Sequence, residues 1–278
     1  MRRIRVVAVF PTMFTLGNLV CGFFAIVVAS RVLAPKMAAL DPAGAMNDPA
    51  NLMLSGYLIF VAMLFDALDG YVARLSRSAS QFGKELDSLC DVVSFGVAPG
   101  FLLVKMCPYF ANLHREAVWV IAAAYAACAA LRLARFNVES GDGDDHLHFR
   151  GLPSPAAAAV IASFAIMFHT LRSPDELKVL YAVEINSAIQ MILPFFGLLV
   201  ALLMVSRIRY PHIVNQVFRG RRSFGHVVGV VFALVCILII RGYAFPVISC
   251  WFALSGPVRY VWTKFVRRQP QQQENPLF

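Results

Sequence analysis

Long runs of apolar residues, separated by short polar segments, make up most of the chain. Each run is long enough, or nearly so, to cross a hydrocarbon layer about 30 Å thick as a helix, which takes roughly 20 residues. The pattern therefore predicts an all-α fold, a polytopic membrane helix bundle of about eight transmembrane helices. The predicted spans are residues 10–33, 52–74, 86–107, 117–136, 154–171, 185–206, 225–240 and 243–261.

The predicted spans form one membrane domain over residues 1–268, because no loop between them is long enough to fold as a soluble domain. Within this domain, residues 1–210 are the predicted six-helix core, and residues 225–262 are an additional C-terminal hairpin of two helices. The tail at residues 269–278 is rich in Gln and Pro, a composition typical of disordered segments.

Composition and charge are typical of a membrane protein rather than a soluble one. Hydrophobic residues make up 59% of the chain and charged residues 15%, and the mean hydropathy is +0.67. The net charge of +9 does not indicate a nucleic-acid partner, because the basic residues lie in short segments between apolar runs. When alternate loops are assigned to the two sides of the membrane, most of the 25 lysines and arginines fall on the side of the termini. Positive charge is concentrated on the cytoplasmic side of membrane proteins, so both termini are predicted to be cytoplasmic. The first apolar run is predicted to be a retained helix rather than a targeting segment, which favours a bacterial inner membrane.

Four aspartates interrupt the second and third apolar runs. Asp66 and Asp69 are three residues apart, and Asp87 and Asp91 are four apart, so each pair lies on one face of its helix. The turn between the two helices is short and predicted to be cytoplasmic, which brings the two acidic faces opposite one another near the inner membrane surface. Ionised carboxylates beside apolar spans are costly, so this cluster implies a compensating positive charge.

A metal ion is the compensating charge that the residue types favour. Carboxylates without accompanying histidine or thiolate select hard cations such as Mg²⁺ or Mn²⁺, and four of them suffice for two ions. Gly70, Ala73 and Gly83 lie on the same faces as the aspartates and leave room for a base or a pyrophosphate. Arg74 is positioned to bind phosphate oxygens.

These residues also carry a family resemblance. The pattern Asp66-x-x-Asp69-Gly70-x-x-Ala73-Arg74, eight residues, Gly83-x-x-x-Asp87-x-x-x-Asp91 resembles the complete signature of the CDP-alcohol phosphotransferases. The resemblance implies a membrane-embedded helical core, a homodimer, and two divalent cations, Mg²⁺ or Mn²⁺, bound by the four aspartates.

The resemblance also implies a role for each signature residue. Asp66 and Asp87 would contact both ions, Asp69 the first and Asp91 the second, and Asp91 would also be the general base for the acceptor alcohol. The residues expected to hold the CDP moiety are Gly70, Ala73, Arg74, Ser80 and Gly83, with Asn18 from the first helix.

Three further stretches, at residues 11–22, 132–137 and 149–157, resemble the phosphatidylserine synthase branch of the family. Thr12 is a mild departure, since many relatives carry Asn there. The resemblance implies transfer of a phosphatidyl group from CDP-diacylglycerol to L-serine in the membrane, with release of CMP and an active site facing the cytoplasm.

Two assignments near this chemistry stay open. Arg132 and Arg135 could bind the carboxylate of serine, or they could be ordinary positive charges flanking the inner end of the fourth span. Asn18 could contact substrate, or its amide could form a hydrogen bond between helices.

Two alternative functions also stay open. The same chemistry could use glycerol 3-phosphate, inositol phosphate or choline as the acceptor. The aspartates could instead form the ion relay of a cation-coupled transporter. That function would require acidic sites near mid-membrane on discontinuous helices, whereas these aspartates are predicted near the cytoplasmic edge beside an arginine.

Overall fold

The computed structural model describes residues 9–33, 37, 40–75, 81–139, 149–171, 182–210 and 241–266, and the statements below concern these residues. Their architecture is helical, which confirms the predicted all-α class. The helices are α1 (Val9–Ser30), α2 (Pro42–Ala45), α3 (Asp48–Leu75), α4 (Gln81–Asp91), α5 (Ala98–Met106), α6 (Pro108–Leu113), α7 (Arg115–Glu139), α8 (Ser154–Leu171), α9 (Ala182–Val205) and α10 (Ala244–Val266).

Six of the described helical segments are long and apolar enough to cross a membrane, so the chain is an integral membrane protein. One of these segments is not a regular α-helix. The stretch Gln81–Met106 consists of α4, a π-helical segment at Val92–Val97, and α5. The six segments are Thr12–Ser30, Asp48–Val72, Gln81–Met106, Glu116–Val138, Ser154–Leu171 and Ile185–Val205.

The last two predicted spans have different outcomes. The span at residues 225–240 lies outside the described residues. The span at residues 243–261 corresponds to α10, which begins at Ala244 and continues to Val266. This helix is not among the six segments above, so the count of eight transmembrane helices stays a prediction.

Helix α3 begins four residues before the predicted span, at Asp48. The sequence Asp-Pro is a favourable helix start, because Pro suits the first turn and a carboxylate is stabilised at a helix N-terminus. Asp48 also accepts a hydrogen bond from the backbone N–H of Leu33, at 3.2 Å. Lys105 donates to the carbonyl of Val32 at 2.8 Å, so α3 and α5 together fix the end of α1.

Small residues allow the helices to approach closely, as is common in membrane bundles. A Cβ added at Gly56 of α3 would lie 2.7 Å from the carbonyl oxygen of Ala162 in α8. A Cβ at Gly100 of α5 would lie 3.0 Å from the carbonyl oxygen of Ala122 in α7. In the third segment, α4 packs against α1, whereas the π-helical segment and α5 pack against α1, α7 and α8.

Two short strands, β1 (Phe149–Arg150) and β2 (Arg209–Tyr210), pair antiparallel and join the segments that precede α8 and follow α9. Gly151 follows β1 with a φ of +85°, a conformation that favours glycine, and its N–H donates to the carbonyl of Ile208 at 2.8 Å.

Tyr210 connects helix α10 to this pair of strands. Pro257 lies inside α10 and has no N–H, so the carbonyl of Ala253 loses its intrahelical partner. The Tyr210 hydroxyl donates to that carbonyl at 2.9 Å, and Gly256 leaves room for the ring. Burial raises the pKa of Tyr210 to about 12, so the hydroxyl keeps its proton at neutral pH.

We expect Tyr210→Phe to destabilise the protein by about 1–3 kcal/mol, because the substitution leaves a buried carbonyl without a partner. The measurement is the thermal unfolding midpoint of the purified protein in detergent. Tyr57→Phe is the matched control, because Tyr57 lies on α3 with 41% of its side chain exposed. Equal midpoints for the two variants would contradict the proposed anchoring of α10.

Candidate metal and substrate site

Three of the predicted aspartates converge between α3 and α4. Asp66 and Asp69 lie one turn apart on α3, and Asp87 lies on α4. One carboxylate oxygen from each lies within 4.8 Å of the others. The sequence places the two helices on either side of a short connection, and their acidic faces meet in the structure.

The donor set fits a divalent metal ion. Asp69 is only 5% exposed, and its Oδ2 atom and the Oδ1 atom of Asp87 are buried without a hydrogen-bond partner among the described residues. Buried polar atoms in native proteins are normally satisfied, so two buried carboxylate oxygens without hydrogen-bond partners fit the binding of a cation. An all-oxygen set favours a hard cation. The cluster can therefore hold a metal ion.

Asp91 lies one turn beyond Asp87 and is not part of the group of three converging oxygens. It is 7% exposed and interacts electrostatically with the other three aspartates. The side-chain amide of Asn18 donates from Nδ2 to Oδ1 of Asp91 at 2.9 Å. Asp91 is therefore held at the edge of the cluster by a residue of α1.

The sequence left two interpretations of Asn18 open, a substrate contact and a hydrogen bond between helices. Its side chain is fully buried and forms a hydrogen bond between helices, as the second interpretation predicts. Its Oδ1 atom is buried and has no partner among the described residues. A substrate contact by Asn18 stays a prediction.

Thr15 is a site residue that the sequence analysis did not predict. It lies on α1 one turn before Asn18, is almost fully buried, and forms a side-chain hydrogen bond with Asp69. A threonine in an apolar helix normally bonds to its own backbone, so nothing in the sequence signals this contact.

The predicted CDP-binding residues are only partly described. A Cβ added at Gly70 would meet nothing within 4 Å, so open space lies beside Gly70. The side chains of Ala73 and Arg74 lie outside the described residues, as does the whole of Ser80. Gly83 is half-buried within α4.

The two predicted acceptor arginines have different surroundings. Arg132 donates from Nη1 to the hydroxyl of Ser154 at 2.6 Å and interacts electrostatically with Asp66 and Asp91. Arg135 donates from Nη1 to the carbonyl of Val205 at 2.9 Å, which ties α7 to the end of α9. Of the two, Arg132 is the one beside the aspartates.

A cleft of about 520 Å³ opens between α4 and α7. Asn137 donates from Nδ2 to the hydroxyl of Ser88 at 2.8 Å across this cleft. Its lining residues are Glu85, Ser88, Leu89, Val92, Ala130, Leu133, Ala134, Asn137 and Val138.

Comparison with known proteins identifies a family and several relatives. The family model for CDP-alcohol phosphatidyltransferase matches residues 8–206. The chain is similar to the CDP-diacylglycerol–serine O-phosphatidyltransferase of Methanocaldococcus jannaschii, with 34% identity over 76% of this chain and 87% of that one. It is 32% identical to the protein of the same name from Helicobacter pylori, over 73% and 72% of the two chains. It is 36% identical to the archaetidylserine synthase of Methanothermobacter thermautotrophicus, over 61% and 60%.

We expect Asp87→Asn to weaken Mn²⁺ binding by about 100-fold or more. Loss of a residue that only contacts a metal ligand usually costs about 10- to 100-fold, and Asp87 is itself a proposed ligand. Asparagine keeps the size of the side chain but removes the negative charge that a hard cation requires. The measurement is Mn²⁺ titration followed by electron paramagnetic resonance.

The matched control for this titration is Asp48→Asn. Asp48 is also a buried aspartate, but it lies at the opposite end of α3 and bonds to the backbone of Leu33. The control should bind Mn²⁺ as the wild type does. Equal affinities for the Asp87 variant and the wild type would exclude this cluster as the metal site.

Proposed function

Because this chain belongs to the CDP-alcohol phosphatidyltransferase family, we propose that it transfers the phosphatidyl group of CDP-diacylglycerol to L-serine. The products are phosphatidylserine and CMP. The observation that carries the proposal is the convergence of the Asp66, Asp69 and Asp87 oxygens beside the open space at Gly70. The choice of serine is supported by the names of the relatives above, two of which are serine O-phosphatidyltransferases.

Two divalent cations, Mg²⁺ or Mn²⁺, belong to the proposal. Asp66, Asp69 and Asp87 would hold the first, and Asp91 would hold the second together with Asp66 and Asp87. When bound, such cations neutralise charge on the diphosphate and on the departing CMP. The two orphaned oxygens of Asp69 and Asp87 support this assignment.

Asp91 is the general base in this proposal. Its carboxylate takes the proton of the serine hydroxyl, and the hydroxyl oxygen attacks the lipid-side phosphorus of CDP-diacylglycerol. A new P–O bond to serine forms, the bond between that phosphorus and the bridging oxygen breaks, and CMP leaves. The side-chain amide of Asn18 donates a hydrogen bond to Oδ1 of Asp91, so Oδ2 is the oxygen that accepts the proton.

The CDP moiety is proposed to bind beside Gly70, where an added Cβ would meet no protein atom. Gly83 and Asn18 belong to the proposed nucleotide site, and Ala73, Arg74 and Ser80 complete the set by resemblance to the family signature. Membrane burial of the helices suits a substrate whose two acyl chains stay in the lipid.

Arg132 is proposed to pair with the carboxylate of serine. Its guanidinium interacts electrostatically with Asp66 and Asp91, so an acceptor carboxylate bound there would bring its hydroxyl close to the proposed base. Arg135 was the other candidate, and its hydrogen bond to Val205 favours a packing role between α7 and α9.

The cellular setting is also part of the proposal. The distribution of basic residues supports an active site that faces the cytoplasm, with the bacterial inner membrane as the location. A homodimer is proposed from the family resemblance.

The direct test measures CMP release by purified protein with CDP-diacylglycerol, Mn²⁺ or Mg²⁺, and one acceptor at a time. We expect release with L-serine and much less with glycerol 3-phosphate, inositol phosphate or choline. Asp91→Asn should abolish release while keeping most CDP-diacylglycerol binding, because asparagine cannot take the hydroxyl proton, whereas Asp66, Asp69 and Asp87 can still hold the first cation. A preference for another acceptor would refute serine, and near-normal release by the Asp91 variant would refute the base assignment.

We expect Gly70→Ala to raise the KM for CDP-diacylglycerol roughly tenfold, equivalent to about 1.4 kcal/mol. The added methyl group meets no protein atom, so it enters the space proposed for the nucleotide. The KM for serine and the thermal unfolding midpoint are the internal controls, and both should stay near the wild-type values. An unchanged KM for CDP-diacylglycerol would place the nucleotide elsewhere.

A further inference from the structure

Helix α1 and the π-helical segment Val92–Val97 approach each other unusually closely. A Cβ added at Gly22 would lie 2.2 Å from Oγ of Ser94 and 2.7 Å from its Cα atom. Such distances are too short for any side chain, so residue 22 must be glycine for this approach to occur. Ser94 itself is fully buried.

Ser94 is connected to Asp91 through Asn18. The Ser94 hydroxyl donates to the backbone carbonyl of Asn18 at 2.9 Å, and the Asn18 side chain donates to Asp91 at 2.9 Å. In a regular helix the Asn18 carbonyl also accepts the N–H of Gly22, four residues on. The hydroxyl therefore reaches the Asn18 carbonyl at the place where Gly22 leaves room.

We propose that Ser94 is a positioning residue for Asp91, acting through Asn18 and made possible by the close contact at Gly22. This inference rests on the proposed role of Asp91. Asp91 and Ser94 lie three residues apart on one segment, and Asn18 and Gly22 lie four apart on α1. The two hydrogen bonds close a loop between the segments, which fixes the backbone of Asn18 and the direction of its amide.

The backbone geometry of the third segment supports this role. The helix changes from α to π directly after Asp91, and π-helical turns occur frequently at functional sites. The Asn18 side chain has a second polar atom, Oδ1, with no partner among the described residues. The orientation of the amide therefore depends on the Asn18 backbone, which Ser94 holds, and on the bond to Asp91 itself.

The first test compares Ser94→Ala with Ser163→Ala. Ser163 is also a fully buried helical serine whose hydroxyl donates to a backbone carbonyl, but it lies on α8 and bonds to Ser249. We expect Ser94→Ala to lower kcat about tenfold with little change in the KM for CDP-diacylglycerol, whereas Ser163→Ala keeps the wild-type kcat. Equal kcat values for the two variants would overturn the proposal.

A double-mutant cycle tests whether Ser94 acts through Asn18. If it does, Ser94→Ala should lower kcat no further in a protein that already carries Asn18→Ala. Two independent, multiplying losses would overturn the proposed route.

Mn²⁺ binding gives a readout that needs no turnover. Ser94→Ala should weaken the site that includes Asp91 several-fold, and Ser163→Ala should not. If the wild type releases no CMP with serine, the proposed function fails, and the Mn²⁺ titration decides the positioning role alone. Unchanged Mn²⁺ affinity in the Ser94 variant would overturn the proposal in that case.

Discussion

Three carboxylates, from Asp66, Asp69 and Asp87, converge among helices whose other faces are apolar, and this concentration of negative charge constrains the rest of the bundle. Uncompensated charge beside a bilayer is costly, so the surroundings must supply positive charge and hydrogen-bond donors. Thr15 and Asn18 supply donors from α1. Arg132 supplies a positive charge from α7. The interactions of Asn18 and Arg132 with Asp91 account for the packing of α1 and α7 against the third segment, and Thr15 connects α1 to Asp69 on α3.

Close packing is the second requirement, and it follows from the first. Short side-chain donors on α1 reach the aspartates only if the helices approach nearer than ordinary side chains allow. Gly22 permits this approach on one side of the third segment, and Gly100 permits the corresponding approach of α7 on the other. The glycines thus serve the electrostatics of the site by setting the distances between helices.

The sequence predicted the parts of the structure that depend on spacing along one helix. The positions of Asp66 and Asp69, one turn apart, and the short connection to Asp87 were sufficient to predict that these residues meet. Contacts between distant segments were not predictable in the same way. The bond from Thr15 to Asp69 and the π-helical turn after Asp91 depend on how whole helices pack, and apolar periodicity does not encode that packing. The start of α3 at Asp48 was missed because a polar first turn carries no apolar signal.

The balance of charge connects the site to its proposed chemistry. Among the described side chains, Arg132 is the cation that interacts with the aspartates, and one guanidinium against four carboxylates leaves a large negative excess. Two divalent cations, as proposed above, would slightly exceed the net negative charge of these described side chains. The resulting positive surplus suits an anionic diphosphate, because the substrate then completes the neutralisation instead of opposing it. Without cations, the buried acidic cluster would repel an anionic diphosphate. With the cations bound, the same cluster would attract it.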